Sequence, residues 1–286
     1  MKRLCELGQV SRSGFYRSRR HRPATSRDVE LRDAMQRVAL EFPSYGWPRM
    51  TPELRRRGWV VNHKRVYRMM REDNLLCLRR RKYVRTTDSL HGLPVYPNLA
   101  RQMQVTGLNQ LWVADITYIG LRFEFVYLAV ILDAYSRRVI GWALGRSLEN
   151  GLTLQALRRA REQRPAAPGL VHHSDRGVQY ASREYTALLQ AQGITISMSR
   201  KGNPYDNAIA ESFMKTLKYE EVYRDDYQDL SHAHTSIPRF LEQVYNQKRL
   251  HSSLGYLPPV EFEQALEAND KCKSRGMACL ASESAR

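Results

Sequence analysis

The spacing of apolar residues predicts two kinds of structure along the chain. Through the first 78 residues, apolar positions recur every three or four residues, which is the period of an amphipathic helix. From residue 109 onward, short apolar runs alternate with helical patterns, as they do in α/β folds. The segment between them has no sustained period, carries the charged run Arg79–Lys82 and contains scattered glycines and prolines. It is therefore predicted to be a basic linker.

These patterns divide the chain into six segments. They are an N-terminal helical segment over 1–44, a helix-turn-helix region over 45–78, the basic linker over 79–108, an α/β core over 109–225, a C-terminal helical extension over 226–267 and a tail over 268–286. The first segment opens with a short helix-turn-helix fragment, Leu4 to Tyr16, in which Ser11 can cap the second helix.

Stronger helix signals lie in the 45–78 region. Thr51-Pro52-Glu53 joins a capping hydroxyl, a proline and an acid, so a helix is predicted to begin there and to end at Gly58. Asn62 can then cap a helix over His63 to Asp73, whose basic face consists of Lys64, Arg68 and Arg71. Two short helices with a basic face on the second can present a recognition helix to a DNA groove. A helix pair whose basic face is merely solvated would show the same pattern.

From residue 109 the pattern predicts a mixed α/β sheet of five strands with helices on its faces. Three strands separated by short turns should be antiparallel, and two more are linked through helices. The predicted strands are Leu111 to Ile119, Phe123 to Leu132, Arg138 to Leu144, Leu170 to His173 and Ile194 to Ser199. The predicted helices are Leu152 to Glu162, Ser182 to Gln192 and one that begins near Asp206.

Three acidic side chains mark a candidate site in this core. Asp115 lies inside an apolar strand, where a carboxylate is costly to bury without a cationic partner. Asp175 follows a strand at its carboxyl end, which is where open α/β sheets place their sites. Glu211 shares one face of the late helix with Lys215 and Lys218, which are candidates for phosphate contacts.

Separated carboxylates of this kind can hold hard divalent cations. Mg²⁺ needs few protein ligands because it keeps several waters and also binds substrate phosphates. Two such ions about 3.5–4 Å apart can activate the attacking oxygen and stabilise the leaving oxygen in a displacement at phosphorus. Each acid also has an ordinary explanation, as a strand cap, a turn residue or half of a helix ion pair. Their joint placement is what favours a metal site.

Other polar residues of the core favour structural roles. Asp133, in a turn before Ser136, is predicted to act as a cap. His172 and His173 have no second His or Cys pair at zinc-ligand spacing. His173 is therefore expected to shape the loop that carries Asp175.

Positive charge is concentrated in the first third of the chain. The 46 Lys+Arg and 29 Asp+Glu residues give a formal net charge of +17. Residues 1–100 hold 23 basic and 9 acidic residues, so this third carries +14 and the other 186 residues only +3. Such a concentration favours a nucleic-acid partner over a uniformly basic surface.

Composition argues against membrane, secreted and zinc-ribbon proteins. The longest apolar stretch, Phe125 to Leu132, is too short to span a bilayer, and the first residues contain no export signal. The four cysteines show no metal-ligand spacing, so we expect free thiols in a reducing cytoplasm.

The segments around the three acids resemble the catalytic core of a known family. They are Trp112–Tyr118, His173–Tyr180 and Gly202–Ala208, the last of which runs into Glu211-Ser212-Phe213. Thirty-five residues separate Asp175 from Glu211. Together these motifs resemble the OrfB-type transposases of bacterial insertion sequences, the IS3 group of the DDE superfamily, which are related to retroviral integrases.

Two segments outside the core resemble the same group. The basic segment Tyr45–Val66 is similar to its helix-turn-helix region, and Tyr245-Asn246 with Arg249 and His251–Tyr256 is similar to its C-terminal signature. The residues alone leave open whether Arg249 and His251 contact DNA or pack the last helix.

The resemblance implies a ribonuclease-H-like fold and an enzyme of DNA integration and recombination. Asp115, Asp175 and Glu211 would be the catalytic residues and would hold two Mg²⁺ ions, for which Mn²⁺ should substitute. Water would first expose a 3′-hydroxyl at the element end, and that hydroxyl would then attack a second phosphodiester. The DNA-binding residues are expected to be Lys64, Arg65, Arg68, Arg71, Lys215 and Lys218.

The implied partners are DNA, as element ends and as target, and further copies of the chain on that DNA. An upstream OrfA product, or a fusion to it, is a further expected partner, whereas no membrane is expected. The implied location is the bacterial cytoplasm, at the nucleoid. Two other functions stay open: a structure-selective DNA nuclease on the same fold, and a DNA-binding regulator without catalysis.

Overall fold

Two compact units make up the chain, Met1–Leu78 and Arg79–Arg286. A computed structural model describes residues 2–19, 26–76, 93–200 and 203–269. The charged run Arg79–Lys82, Gly202 of the third motif and the tail beyond residue 269 lie outside these ranges. None of the helices in the described ranges has the length and apolar character that crossing a membrane requires.

The first unit is helical, as the spacing predicts. Its helices α1 to α5 are Lys2–Leu7, Arg12–Arg19, Ser26–Glu41, Trp47–Arg56 and His63–Glu72. The helices α3, α4 and α5 share a core whose buried members are Leu31, Met35, Val38, Met50, Leu54, Val66, Met69 and Met70. Ion pairs from Arg32 to Glu72 and Asp73 also join α3 to the end of α5.

One predicted helix start in this unit is wrong. Helix α4 begins at Trp47, with extended Gly46 as its N-cap and Pro48 in its first turn. Thr51 is therefore an internal residue, and its Oγ1 donates a hydrogen bond to the Trp47 carbonyl 2.8 Å away. Pro48 lies in the first turn, where a missing amide costs nothing, as Pro52 was expected to do, and Pro52 instead falls inside the helix.

The other local signals are confirmed. Gly58 follows the end of α4 with a φ of +88°, a left-handed conformation that favours glycine. The Asn62 side chain accepts a hydrogen bond from the Lys64 amide at 2.8 Å and so caps α5. In the short N-terminal pair, the Ser11 hydroxyl likewise accepts a hydrogen bond from the Gly14 amide at 3.0 Å.

The second unit contains the predicted five-stranded mixed sheet. Strands β1 to β5 are Leu111–Gly120, Phe125–Asp133, Val139–Gly145, Val171–Ser174 and Thr195–Met198. Their order in the sheet is β3-β2-β1-β4-β5. The first three strands are antiparallel, and β4 and β5 run parallel to β1. The fold class predicted from the sequence is confirmed.

Helices cover both faces of this sheet. Helices α6 to α11 are Asn150–Gln163, Val178–Ala181, Arg183–Ala191, Ala208–Leu217, Leu230–Arg239 and 259–269. The helices α9 and α10 continue directly into π-helical turns, Lys218–Val222 and Phe240–Asn246. The late helix predicted from Asp206 begins instead at Ala208, because a 3₁₀ turn over Pro204–Asn207 precedes it.

Alternate residues of the central strand β1 face the two helical layers. Val113 and Ile119 pack with the apolar residues of α9 and α10, whereas Trp112 and Ala114 pack with those of α6 and α8. Helix α6 lies so close to β3 that a Cβ atom on Gly141 would be 2.3 Å from a backbone oxygen of α6. Because both faces are covered, a carboxylate on β1 is drawn out of bulk water.

Candidate active site

Two of the predicted acids lie close together, Asp115 on β1 and Asp175 directly after the end of the neighbouring parallel strand β4. In the β1–β4 register Val113 pairs with His173, so Asp115 and Asp175 fall at the same level two residues further along. Adjacent strands in a sheet are about 4.8 Å apart. The carboxylates are close enough that Asp175 is the main charged neighbour raising the pKa of Asp115.

Asp115 is held in a position that disfavours its charge. Its Oδ1 accepts a hydrogen bond from the Ile116 amide at 2.9 Å. Burial and then the Asp175 carboxylate raise the pKa of Asp115 to about 8, with a smaller contribution from Glu211. A partly buried carboxylate with acidic neighbours is the arrangement that a bound cation relieves.

The loop after β4 fixes Asp175. Its Oδ1 accepts a hydrogen bond from the Gly177 amide at 2.9 Å. A Cβ atom on Gly177 would lie 3.0 Å from that same Oδ1, so glycine lets the loop fold tightly over the carboxylate.

Glu211 reaches the same region from helix α9. Immediately before the helix, the buried Asn207 side chain donates a hydrogen bond to the Ala114 carbonyl of β1 at 3.1 Å, which ties the start of α9 next to Asp115. Phe213 and its apolar neighbours on α9 are buried against the sheet, while Glu211 is half-buried. Partial burial raises the pKa of Glu211, and Lys215 opposes that rise. The sequence analysis did not identify this role of Asn207, because its side chain bonds a distant strand and does not cap the helix.

The three acids are grouped but do not yet form a closed metal site. Within the described ranges, no set of three His, Cys, Asp or Glu side chains is arranged to hold an ion. Asp115 and Asp175 are the close pair, and the Glu211 carboxylate raises the pKa of Asp115 less than the Asp175 carboxylate does. The donors themselves are carboxylate oxygens, which suit hard cations such as Mg²⁺.

Lys218 lies beside this group of acids. This residue is on the π-helical turn that follows α9, and its Nζ is 4.6 Å from the centre of the Tyr118 ring. Burial lowers the pKa of Lys218, and the Asp115 carboxylate opposes this. Lys215 lies close enough to Glu211 to influence its pKa. Both predicted lysines are therefore at the carboxylate cluster.

In the first unit, the predicted basic residues differ in their surroundings. Lys64, Arg68 and Arg71 are exposed on α5, with Arg68 3.6 Å from Glu72. Arg65 is instead half-buried and forms an ion pair with Asp28 of α3. That pair already uses one face of the Arg65 guanidinium for holding α5 against α3.

Two residues suspected of structural roles have them. Asp133 is fully buried and accepts hydrogen bonds from the amides of Tyr135, Ser136 and Asn109. His173 lies between two hydroxyls, with Nδ1 2.8 Å from Ser197 and Nε2 3.0 Å from Ser199. His173 thus joins β4 to β5 just before Asp175.

The C-terminal signature residues pack inside the unit. Arg249 is 3% exposed, and its guanidinium donates two hydrogen bonds of 2.8 Å to Glu220 on the π-helical turn after α9. The Asn246 side chain bonds both the amide and the carbonyl of Val139 on edge strand β3, each at 2.9 Å. His251 is also buried. The question that the sequence left open is answered in favour of packing.

Family comparisons agree with both units. A model of the integrase core domain matches residues 106–204, a second integrase core model matches 192–259, and an HTH-like domain model matches 26–83. An uncharacterized 31 kDa protein of insertion element IS600 from Shigella sonnei is 39% identical, over 91% of this chain and 97% of that protein. Transposase InsF of insertion sequence IS3A from Escherichia coli is 36% identical, over 92% of this chain and 93% of that protein.

Solved structures with a similar fold include two retroviral integrase cores. The HTLV-2 integrase catalytic core, determined in complex with magnesium, is 16% identical, with a TM-score of 0.41 over 54% of this chain and 95% of that one. The BIV integrase core is 20% identical, with a TM-score of 0.43 over 57% and 99%. Given its identity to InsF over nearly the full length of both proteins, the chain belongs to the IS3 family of insertion-element transposases, built on an integrase core domain.

Proposed function

We propose that the chain cleaves DNA at the ends of an insertion element and joins the exposed 3′-hydroxyl to target DNA. The observation that supports this proposal is the proximity of Asp115 on β1 to Asp175, which directly follows the neighbouring parallel strand β4 and raises the pKa of Asp115. Glu211 lies on a helix that Asn207 ties to the same strand. Three acids brought together from distant parts of the chain match the needs of phosphoryl transfer better than those of a regulator.

Asp115, Asp175 and Glu211 would hold the metal ions in this proposal. Their oxygens suit Mg²⁺, and Mn²⁺ prefers the same donors. Bound cations would activate the attacking oxygen and stabilise the leaving oxygen. Glu211 raises the pKa of Asp115 less than Asp175 does. We therefore expect the Glu211 side chain to complete the ligand set only when ions and DNA bind.

The chain's own cations would orient the DNA. Lys218 and Lys215 lie near Asp115 and Glu211 and would bind phosphate oxygens of the DNA there. In the first unit, the exposed Lys64, Arg68 and Arg71 of α5 would also contact DNA. We further propose that several copies act together, because two element ends must be held at once, and that an OrfA product or fusion supplies added end recognition.

A strand-transfer assay tests the reaction. The full-length protein is incubated with a labelled element end, a plasmid target and Mg²⁺, and the products are separated by size. Joined products support the transposase reaction, cut ends alone would favour a nuclease, and intact DNA bound without cutting would favour a regulator. Asp115→Asn should lower joining by at least about 100-fold, because it removes a metal ligand, yet leave DNA binding unchanged.

A matched variant controls for the loss of negative charge. Asp226 is exposed, so Asp226→Asn makes the same chemical change away from the acids and should leave joining intact. If Asp115→Asn joined DNA at the rate of Asp226→Asn, the assignment of the site would be wrong.

A further inference from the structure

A cavity of about 580 Å³ opens beside the carboxylates on the α6 side of the sheet. It lies between the outer ends of β1 and β2 and the loop after β4 that carries Asp175. Aromatic and aliphatic side chains form most of its wall: Tyr118, Phe125, Tyr127, Leu148 and Val178. Its volume is in the range of small-ligand sites. The mechanism proposed above gives it no role.

An unsatisfied hydroxyl marks this cavity as a binding site. Tyr180 lines it, is 2% exposed, and its hydroxyl has no hydrogen-bond partner among the described residues. Its ring neighbour Tyr185, by contrast, bonds His172 Nε2 at 2.9 Å. A buried hydroxyl without a partner costs free energy, so its retention points to a ligand that pairs with it.

Charge around the cavity favours an uncharged ligand. None of the described residues that line it is Lys or Arg, and Asp175 is its only acid. The shallow cleft that adjoins it contains Glu149 and Glu184, which would repel a phosphate. A neutral, flat, aromatic group fits both the wall and the charge.

Polar side chains at the cavity can form hydrogen bonds with the edge of such an aromatic group. The Gln179 side chain is half-exposed at the cavity and makes no hydrogen bond to another described residue. An amide offers both a donor and an acceptor, which is the pattern that base edges present. The Tyr180 hydroxyl adds a second donor and acceptor, and Asp115 and Asp175 lie near enough to it to affect its pKa, which burial raises.

We propose that this cavity receives one nucleobase, turned out of the duplex, from the strand whose phosphate lies at Asp115 and Asp175. This inference rests on the proposed function and adds to it a residue-level basis for base preference. Aromatic walls stack on an unpaired base, and enzymes acting on DNA accept turned-out bases in such pockets. The base can come from the element end or from the target, since both strands pass the same carboxylates.

Sequencing of insertion junctions tests the target as the source. We expect joined plasmids to show a base preference next to the joined phosphate. Gln179→Ala should weaken that preference about tenfold, because the base edge loses a bidentate partner. Gln190→Ala, on the exposed side of α8, is the matched control and should leave the preference unchanged.

Fluorescence tests the element end as the source. A duplex end carrying 2-aminopurine next to the scissile phosphate should brighten on binding the wild-type protein, because the purine leaves its stack. Phe125→Ala, which removes one aromatic wall, should abolish that rise. A change in either arm identifies the source, whereas joined products with neither change would overturn the cavity's role. Absence of joined products from every variant would instead contradict the proposed function.

Two tyrosine variants test the free hydroxyl itself. Tyr180→Phe should leave the melting temperature unchanged, because no protein hydrogen bond is lost, yet alter the base preference or the fluorescence rise. Tyr185→Phe removes the bond to His172 and should lower the melting temperature without altering either readout. Equal destabilisation by both variants would mean that the Tyr180 hydroxyl has a structural partner and would overturn the proposal.

Discussion

Asp115 and Asp175 concentrate negative charge in a part of the sheet with little access to water. The backbone satisfies only part of this charge, since each carboxylate has a hydrogen bond from a nearby amide. The remaining electrostatic free energy must be offset by favourable interactions elsewhere in the fold or relieved by a bound cation. This residue-scale conflict between stability and function is typical of active sites.

Replacing one charge should therefore stabilise the metal-free protein. We predict that Asp115→Asn raises the free energy of unfolding at pH 7.5 in chelator by more than about 1.4 kcal/mol, the equivalent of one pKa unit. Addition of Mg²⁺ should raise the melting temperature of the wild type but not of Asp115→Asn. The control Asp226→Asn should respond to Mg²⁺ like the wild type. An equal Mg²⁺ response in Asp115→Asn would show that the ions bind elsewhere.

At the scale of elements, the helix that carries Glu211 is fixed at both ends. Before α9, Asp206 accepts hydrogen bonds from the backbone amide and the guanidinium of Arg200, at 2.9 and 3.0 Å. After α9, Glu220 on the π-helical turn is paired with buried Arg249. The C-terminal segment thus stabilises the helix on which the third acid lies, which explains the role of its signature residues without DNA contact.

The Asp206 contact predicts an acid-dependent loss of stability. Hydrogen bonds from Arg200 hold the pKa of Asp206 well below its usual value of 3.8. A carboxylate with a lowered folded-state pKa stabilises the fold above its unfolded pKa of about 3.9, and this contribution falls away as the pH drops further. We therefore expect Asp206→Asn to be less stable than the wild type at pH 6, with a difference that shrinks by pH 3. Urea titrations at both pH values measure it, and a difference that grew on acidification would contradict the assignment.

Across the whole molecule, charge is distributed unevenly along the chain. The first 100 residues carry +14 of the total +17, and α5 exposes three cations on one face. The 186 residues after them, which include the cluster of acids, carry only +3. Such a division lets a basic region supply DNA affinity while the acids, once they bind cations, supply chemistry.

Salt dependence should separate the cations of α5. Each phosphate contact contributes about 0.9 to the slope of log affinity against log salt, so Lys64→Gln should reduce that slope by about this amount. Arg65→Gln serves as the comparison. Because Arg65 pairs with Asp28, this variant should lower the free energy of unfolding and change the salt slope less than Lys64→Gln does. Binding titrations over a salt series measure both. Equal slopes for Lys64→Gln and the wild type would exclude Lys64 from the interface.

Features that depend on near neighbours in the chain were predictable from the amino-acid sequence. Short apolar runs predicted all five strands, capping residues such as Asn62 predicted helix starts, and the concentration of Lys and Arg in the first 100 residues predicted a DNA-binding region. The one clear error, the start of α4, arose where two prolines offered competing local starts. Motif resemblance then indicated which three acids belong together.

Contacts between residues distant in sequence became visible only in the folded chain. The pairing of β1 with β4 places Asp115 beside Asp175, and Asn246 bonds Val139 across 107 residues of chain. Neither the burial of Arg249 nor the cavity at Tyr180 has a signal in the neighbouring sequence, because burial depends on which distant segments pack against a residue. Periodicity and capping act within a turn or a strand, whereas a site is assembled by the path of the whole chain.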